Sequence, residues 1–208
     1  MRAALIVAAE QLLCEEGYPA VTSRTLADKV GLKRQIVHYY FKSMDDLFIA
    51  VIRSGAEKAR ARFEAAMAMD EPLRAFWEIN SDPAQSVLAL ELNALAHRRP
   101  AVRAEVVHFA KAFRDLQTQA LVQHLERRGI TPTMRPIVAT VLLTSLSQVL
   151  TLEAAIELTH GHADTLEFVD ECLRAFAEGR DTPMPPPDAA LAKSAEPKAA
   201  VDGPATGV

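Results

Sequence analysis

Cysteine is nearly missing from this chain: Cys14 and Cys172 are its only two, far apart in sequence. Such a pair gives neither a disulfide framework nor a zinc-ligand spacing, and it reads as reduced, buried thiols of a cytoplasmic protein. Aromatic residues are few, at 6%. No stretch alternates in the manner of a strand, no internal repeat is present, and no glycine-rich loop could cradle a phosphate. Acid–base groups or metal ligands at an informative spacing are also lacking, which argues against an all-helical enzyme. The one close histidine pair, His160-Gly161-His162 with Asp164, falls at a helix end and lacks further ligands, so no metal is expected. No cofactor is expected either.

Long unbroken apolar runs are absent too. Glu10 interrupts the apolar N-terminus, and there is no clear cleavage site, so Met1 onward is expected to be the start of a helix and not an export signal. The longest apolar stretch, Ile137 to Leu152, contains Thr140, Thr144, Ser145, Ser147, Gln148 and Thr151. It is short for a bilayer and is expected to be a buried helix, with no membrane contact.

What remains is a chain of 208 residues, half apolar and 24% charged, with helical periodicity almost throughout. Helices are expected over 3–16, from Thr22 as N-cap to Val30, and on to about Tyr40. A long helix opens at Ser43, whose capping box uses Asp46, and runs to about Met69. Pro72 and Pro83 each sit near a helix start. Further helices are expected over 84–98, from Pro100 to Gly129, over 132–160 with a stop at Gly161, and over about 164–178. Residues 180–208, rich in proline and small side chains, read as a disordered tail.

Charge is unevenly spread. Aspartate and glutamate number 27 against 23 lysines and arginines, yet Thr22 to Lys42 carries Arg24, Lys29, Lys33, Arg34 and Lys42 against Asp28 alone. A positive island on a negative body points to an anionic partner at one face. The same segment has the pattern of two helices crossing at a steep angle. Ala27 is small where the helices meet, and Gly31 tolerates a positive φ in the turn. Leu26, Val30, Leu32, Val37 and Tyr40 fill the wedge between them. Arg34, Gln35, His38 and Tyr39 then point outward. Arginine and glutamine suit base edges in a major groove, and Lys33 and Lys42 suit phosphates.

At AAEQLLCEEGYPAVTSRTLADKVGLKRQIVHYYFKSMDDL, residues 8–47, the chain resembles the TetR family of transcriptional regulators. The match rests on the Gly17-Tyr18 turn, the Thr22 cap, Leu26-Ala27, Gly31-Leu32, Tyr40-Phe41 and Leu47. The sequence departs from the family pattern at Lys33, usually a capping Ser or Thr, at His38, usually Tyr, and at Met44, usually Lys. The basic arm before the first helix is reduced to Arg2 and the amino terminus.

The resemblance implies an all-α protein. Residues 1–43 would form a three-helix DNA-binding domain with a helix-turn-helix, and 44–179 a helical ligand-binding and dimerisation domain. The expected partners are double-stranded DNA carrying a palindromic operator, a second copy of the chain, and an unidentified small-molecule effector. The DNA contacts would come from Thr22, Ser23, Arg24, Lys33, Arg34, Gln35, His38, Tyr39 and Lys42. The helices from 44 to 129 would surround a small-molecule pocket, with Trp77, Glu91, Asn93, Phe109, Phe113, Thr144 and Gln148 as candidate contacts. A dimer face is expected from Ala154, Ala155, Ile156, Phe168, Leu173 and Phe176. Repression is the family's usual sign of regulation. The alternative is a helical protein-interaction scaffold that keeps the fold without specific DNA binding.

Overall fold

The computed structural model describes residues 1–69, 71–132 and 134–178. The expected tail, 180–208, lies outside the described residues. The chain folds as α1 (Arg2–Glu16), a 3-10 turn (Tyr18–Ala20), α2 (Ser23–Lys29), α3 (Arg34–Tyr40), α4 (Met44–Met67), α5 (Pro72–Asn80), α6 (Pro83–Arg98), α7 (Pro100–Arg128), α8 (Pro136–Ala154) and α9 (His162–Glu178). No strand occurs among the described residues. The protein is all-α, with an N-terminal helix-turn-helix module and a larger helical domain behind it.

Local chemistry sets most of these boundaries. Proline opens α5, α6, α7 and α8 at the first turn, where its missing N–H is not needed. Thr22 and Thr25 form a reciprocal capping box on α2, and Ser43 and Asp46 do the same on α4. In the latter, the Asp46 amide donates to Ser43 Oγ at 3.1 Å and the Ser43 amide to Asp46 Oδ2 at 3.0 Å. Lys33 gives α3 no side-chain cap.

The core of the module is made by Leu5, Ala9, Leu12 and Leu13 of α1, Leu26 and Ala27 of α2, Val37 of α3, and Leu47, Phe48 and Val51 of α4. Leu88, Leu95 and Val102 belong to the same cluster, so the apolar contact runs without a break from the module into α6 and α7. Ion pairs reinforce that seam. Arg53 of α4 holds Glu105 of α7 with two bonds of 2.9 Å, and Lys58 holds Glu10 of α1 at 2.7 Å. Arg99, between α6 and α7, donates to Asp45 in the first turn of α4 and lies over the Phe48 ring.

Two expected boundaries move. The helix expected over 132–160 spans Pro136–Ala154 instead, because Arg135 is extended before Pro136 and the chain turns early at its other end. That turn uses Glu157 at φ 63, with the Leu158 amide on the Glu153 carbonyl at 3.0 Å and the Glu157 amide on the Ala154 carbonyl at 3.1 Å. This is the glycine-type helix stop executed by a glutamate, so a search for glycine places the end too late, at Gly161. The buried helix expected there also needs correcting: α8 buries Thr140 and Ser147, while Val138, Leu142 and Val149 stay exposed. By length and composition α8 is apolar enough to cross a membrane, and only 11% of it is buried within the single chain.

Candidate nucleic-acid interface

The helix-turn-helix is assembled from the inside outward. Leu26, Ala27 and Val37 are almost fully buried, and Val30, Leu32 and Tyr40 pack partly against them. Gly31 makes the turn at φ 67. There the Gly31 amide reaches the Asp28 carbonyl at 3.3 Å and the Leu32 amide the Ala27 carbonyl at 2.9 Å, closing α2 and launching α3. With Val37 locked inside, helical geometry leaves Arg34, Gln35, His38 and Tyr39 on the outer face, and all four are exposed. Tyr39 is 80% exposed and meets Tyr40 edge-on at 5.1 Å. Its ring therefore adds little to the packing of the module and is open to a partner.

The other expected DNA contacts divide. Thr22, Arg24, Lys33 and Lys42 are exposed. Ser23 is buried and not itself open to a partner; its Oγ accepts Arg34 Nε–H at 2.8 Å. That bond engages Nε and neither of the two terminal nitrogens of Arg34. The island is less positive than its sequence count. Lys29 pairs with Glu15 of α1 at 2.7 Å, and Arg24 lies 3.9 Å from Asp28. Lys33, Arg34 and Lys42 have no acidic partner among the described residues. Arg2 does not extend toward a partner; its guanidinium covers the Phe41 ring at 5.2 Å. Met44, half-buried, packs against the module's core.

A groove of about 550 Å³ lies behind this head, between α4 and α7. Phe109 and Phe113 both line it, stacked at 5.4 Å, and Phe113 meets Phe63 edge-on at 5.8 Å. The other residues expected at a pocket do not join them. Asn93 is exposed, and Trp77 and Gln148 are half-buried outside the groove's lining. Thr144 bonds back to the Thr140 carbonyl at 2.8 Å, an internal helix bond. Glu91 braces the turn after α1 and does not line the groove. Its carboxylate accepts the Tyr18 amide at 2.7 Å and lies against Gly17, where a Cβ would come within 3.2 Å of it. With φ 79 at Gly17 as well, only glycine fits that turn. The residues that sequence reasoning missed are Arg53, Glu57, Glu105, His108 and Asp115, which rim the groove. Hydrogen bonding to Arg53 holds the Glu105 carboxyl below its usual range. No pattern within α4 or α7 alone marks these positions; they meet only when the two helices pack.

Of the expected dimer face, Ala154, Ala155 and Ile156 are exposed, Ile156 at 74%, and Phe168 is half-buried. Leu173 turns inward and is buried, so it is not available to a partner. The Phe176 side chain lies outside the described ones. His162 Nε2 sits 3.0 Å from Glu153 Oε2, tying α9 to α8. No group of three metal-ligating side chains occurs among the described residues.

Comparison with known proteins agrees with this architecture. The family model described as bacterial regulatory proteins of the tetR family matches residues 5–51, which span α1 to the start of α4. Among solved structures, a transcriptional regulator from Saccharomonospora viridis in complex with choline is 16% identical, with a TM-score of 0.69, covering 81% of this chain and 95% of that one. A TetR transcription regulator from Haloarcula marismortui is 19% identical, with a TM-score of 0.67 and coverages of 86% and 97%. The regulator FadR from Bacillus subtilis in complex with stearoyl-CoA is 16% identical, with a TM-score of 0.64 and coverages of 87% and 100%. No curated protein sequence matches the chain. The helix-turn-helix module is thus similar to that of the tetR family, and the helices behind it share the fold of these solved regulators.

Proposed function

We propose that the protein is a homodimeric, cytoplasmic transcriptional regulator that binds a palindromic operator and is released from it by a small-molecule ligand, acting as a repressor. Residues 1–43 would read the DNA, and 44–179 would bind the ligand and the second copy. The observation that carries the reading is the outward presentation of Arg34, Gln35, His38 and Tyr39 while Val37 is held in the core. One such head covers too little duplex for tight specific binding, which favours a symmetric dimer with recognition helices about 34–36 Å apart. The exposed apolar stripe Val138, Leu142 and Val149 on α8 supports self-association there, with Ala154, Ala155 and Ile156 beyond it; Leu166 of α9 is exposed as well. The ligand would occupy the α4–α7 groove. Bound small molecules in two similar structures, choline and stearoyl-CoA, favour a ligand site in this fold without naming the ligand here. Since α4 begins at the reading head and its middle, Ile52 to Arg60, lines the groove, a ligand that shifts α4 against α7 would change the spacing of the two heads.

A salt titration of DNA affinity tests the reading. The two outward lysines of each head, Lys33 and Lys42, predict about four phosphates per dimer, and so a slope of roughly −4 in log affinity against log salt. A flat dependence would favour the second reading, a protein-interaction scaffold. That alternative draws on Met44, apolar and half-buried where a cation is usual, and on the internal pairing of Lys29 with Glu15.

A further inference from the structure

The charges around the α4–α7 groove specify a ligand chemistry. Both arginines that line it are already neutralised: Arg53 by its two bonds to Glu105, and Arg60 by Glu64 at 2.8 Å. Two lining carboxylates, Glu57 on α4 and Asp115 on α7, have no cationic partner among the described residues. The stacked rings of Phe109 and Phe113 line the same groove. We infer, resting on the ligand-responsive reading above, that the groove takes a small amphipathic organic cation: an ammonium group carrying an aryl or short alkyl body.

Each part of the lining suits such a ligand and disfavours the alternatives. A phenyl face attracts a cation within about 6 Å of its centroid and also accepts an apolar body. Glu57 and Asp115 supply counter-charge from both walls without breaking an existing pair. An anionic ligand would meet two unpaired carboxylates, and would gain an arginine only by detaching Arg53 from Glu105 or Arg60 from Glu64. A neutral aromatic would use the rings and leave the carboxylates idle. The groove's volume, about 550 Å³, falls within the range of small-molecule sites.

The test is calorimetric titration of the full-length protein with benzyltrimethylammonium, benzoate and benzyl alcohol at one ionic strength. The ammonium should bind about tenfold more tightly than either other probe, the combined effect of ring and carboxylates. The Glu57→Gln, Asp115→Asn double variant, changed at two exposed positions, should lose about that tenfold. Phe109→Leu should weaken the ammonium too, and serves if the double variant melts early. Equal affinity for the three probes, tighter benzoate, no ammonium binding, or undiminished binding by the variants overturns the inference. Operator affinity measured in parallel separates the two readings. Ammonium binding at the groove with unchanged DNA affinity contradicts ligand release and upholds the groove chemistry; release by benzoate alone does the reverse.

Discussion

Arg34 of α3 donates its Nε–H to Ser23 of α2 across the helix-turn-helix, at 2.8 Å. The bond ties down a long, flexible side chain before any partner arrives, through Nε and not through its terminal nitrogens. Arg34→Ala should therefore weaken binding to the preferred sequence by about 1–3 kcal/mol and weaken non-specific binding much less. Ser23→Ala, which keeps the guanidinium and removes only its anchor, should give a smaller loss in the same direction. Competition assays with specific and random duplexes measure both; equal losses on all sequences would make Arg34 a phosphate contact.

Asp45 and Arg99 join the head to the α6–α7 junction. Both are partly exposed, at 32% and 42%, so solvent screens the pair. A double-mutant cycle with Asp45→Asn and Arg99→Ala should give a coupling of about 0.5–1 kcal/mol in denaturant unfolding. Strict additivity would show that the contact does not tie the two regions together.

Leu142, 56% exposed, stands in the middle of the α8 stripe. Leu142→Glu should convert a dimer to a monomer in sedimentation, with circular dichroism nearly unchanged, because more than half of the side chain is already exposed. It should also lower operator affinity by removing the second head. An unaltered sedimentation coefficient would move the dimer surface elsewhere.

His124 is buried on α7, and desolvation followed by the nearby Arg128 and Arg127 cations pushes its pKa down from 6.5. The unfolded chain then binds a proton more readily than the folded one. Stability is held above the unfolded pKa and falls as pH drops below it toward the folded value. His124→Gln should flatten the part of the stability profile just below pH 6.5, measured by urea unfolding across pH. Parallel profiles for the two proteins would show that the ring titrates alike in the folded and unfolded states.

The head is legible in the sequence because its determinants are local. Ala27, Gly31 and Val37 lie within a dozen residues, and each is dictated by a turn or a crossing that helical periodicity exposes. The groove is only half legible. Phe109 and Phe113 are one helical turn apart and can be paired on sequence, whereas Glu57 and Asp115 meet only through the packing of α4 on α7. Glu91 misleads for the same reason: its carboxylate finds the Tyr18 amide across 73 positions. Nothing local to α6 announces that bond. The end of α8 is hidden because Glu157 takes a backbone conformation that sequence assigns to glycine.

Selection of bound sequences from a random duplex library by the full-length protein tests most directly whether α3 reads DNA as one of a symmetric pair. The predicted result is enrichment of a two-fold symmetric sequence whose half-site centres are about 34–36 Å apart, lost when Arg34 and Gln35 are both changed to alanine. Recovery of unenriched, random sequences at salt concentrations where binding persists would contradict it.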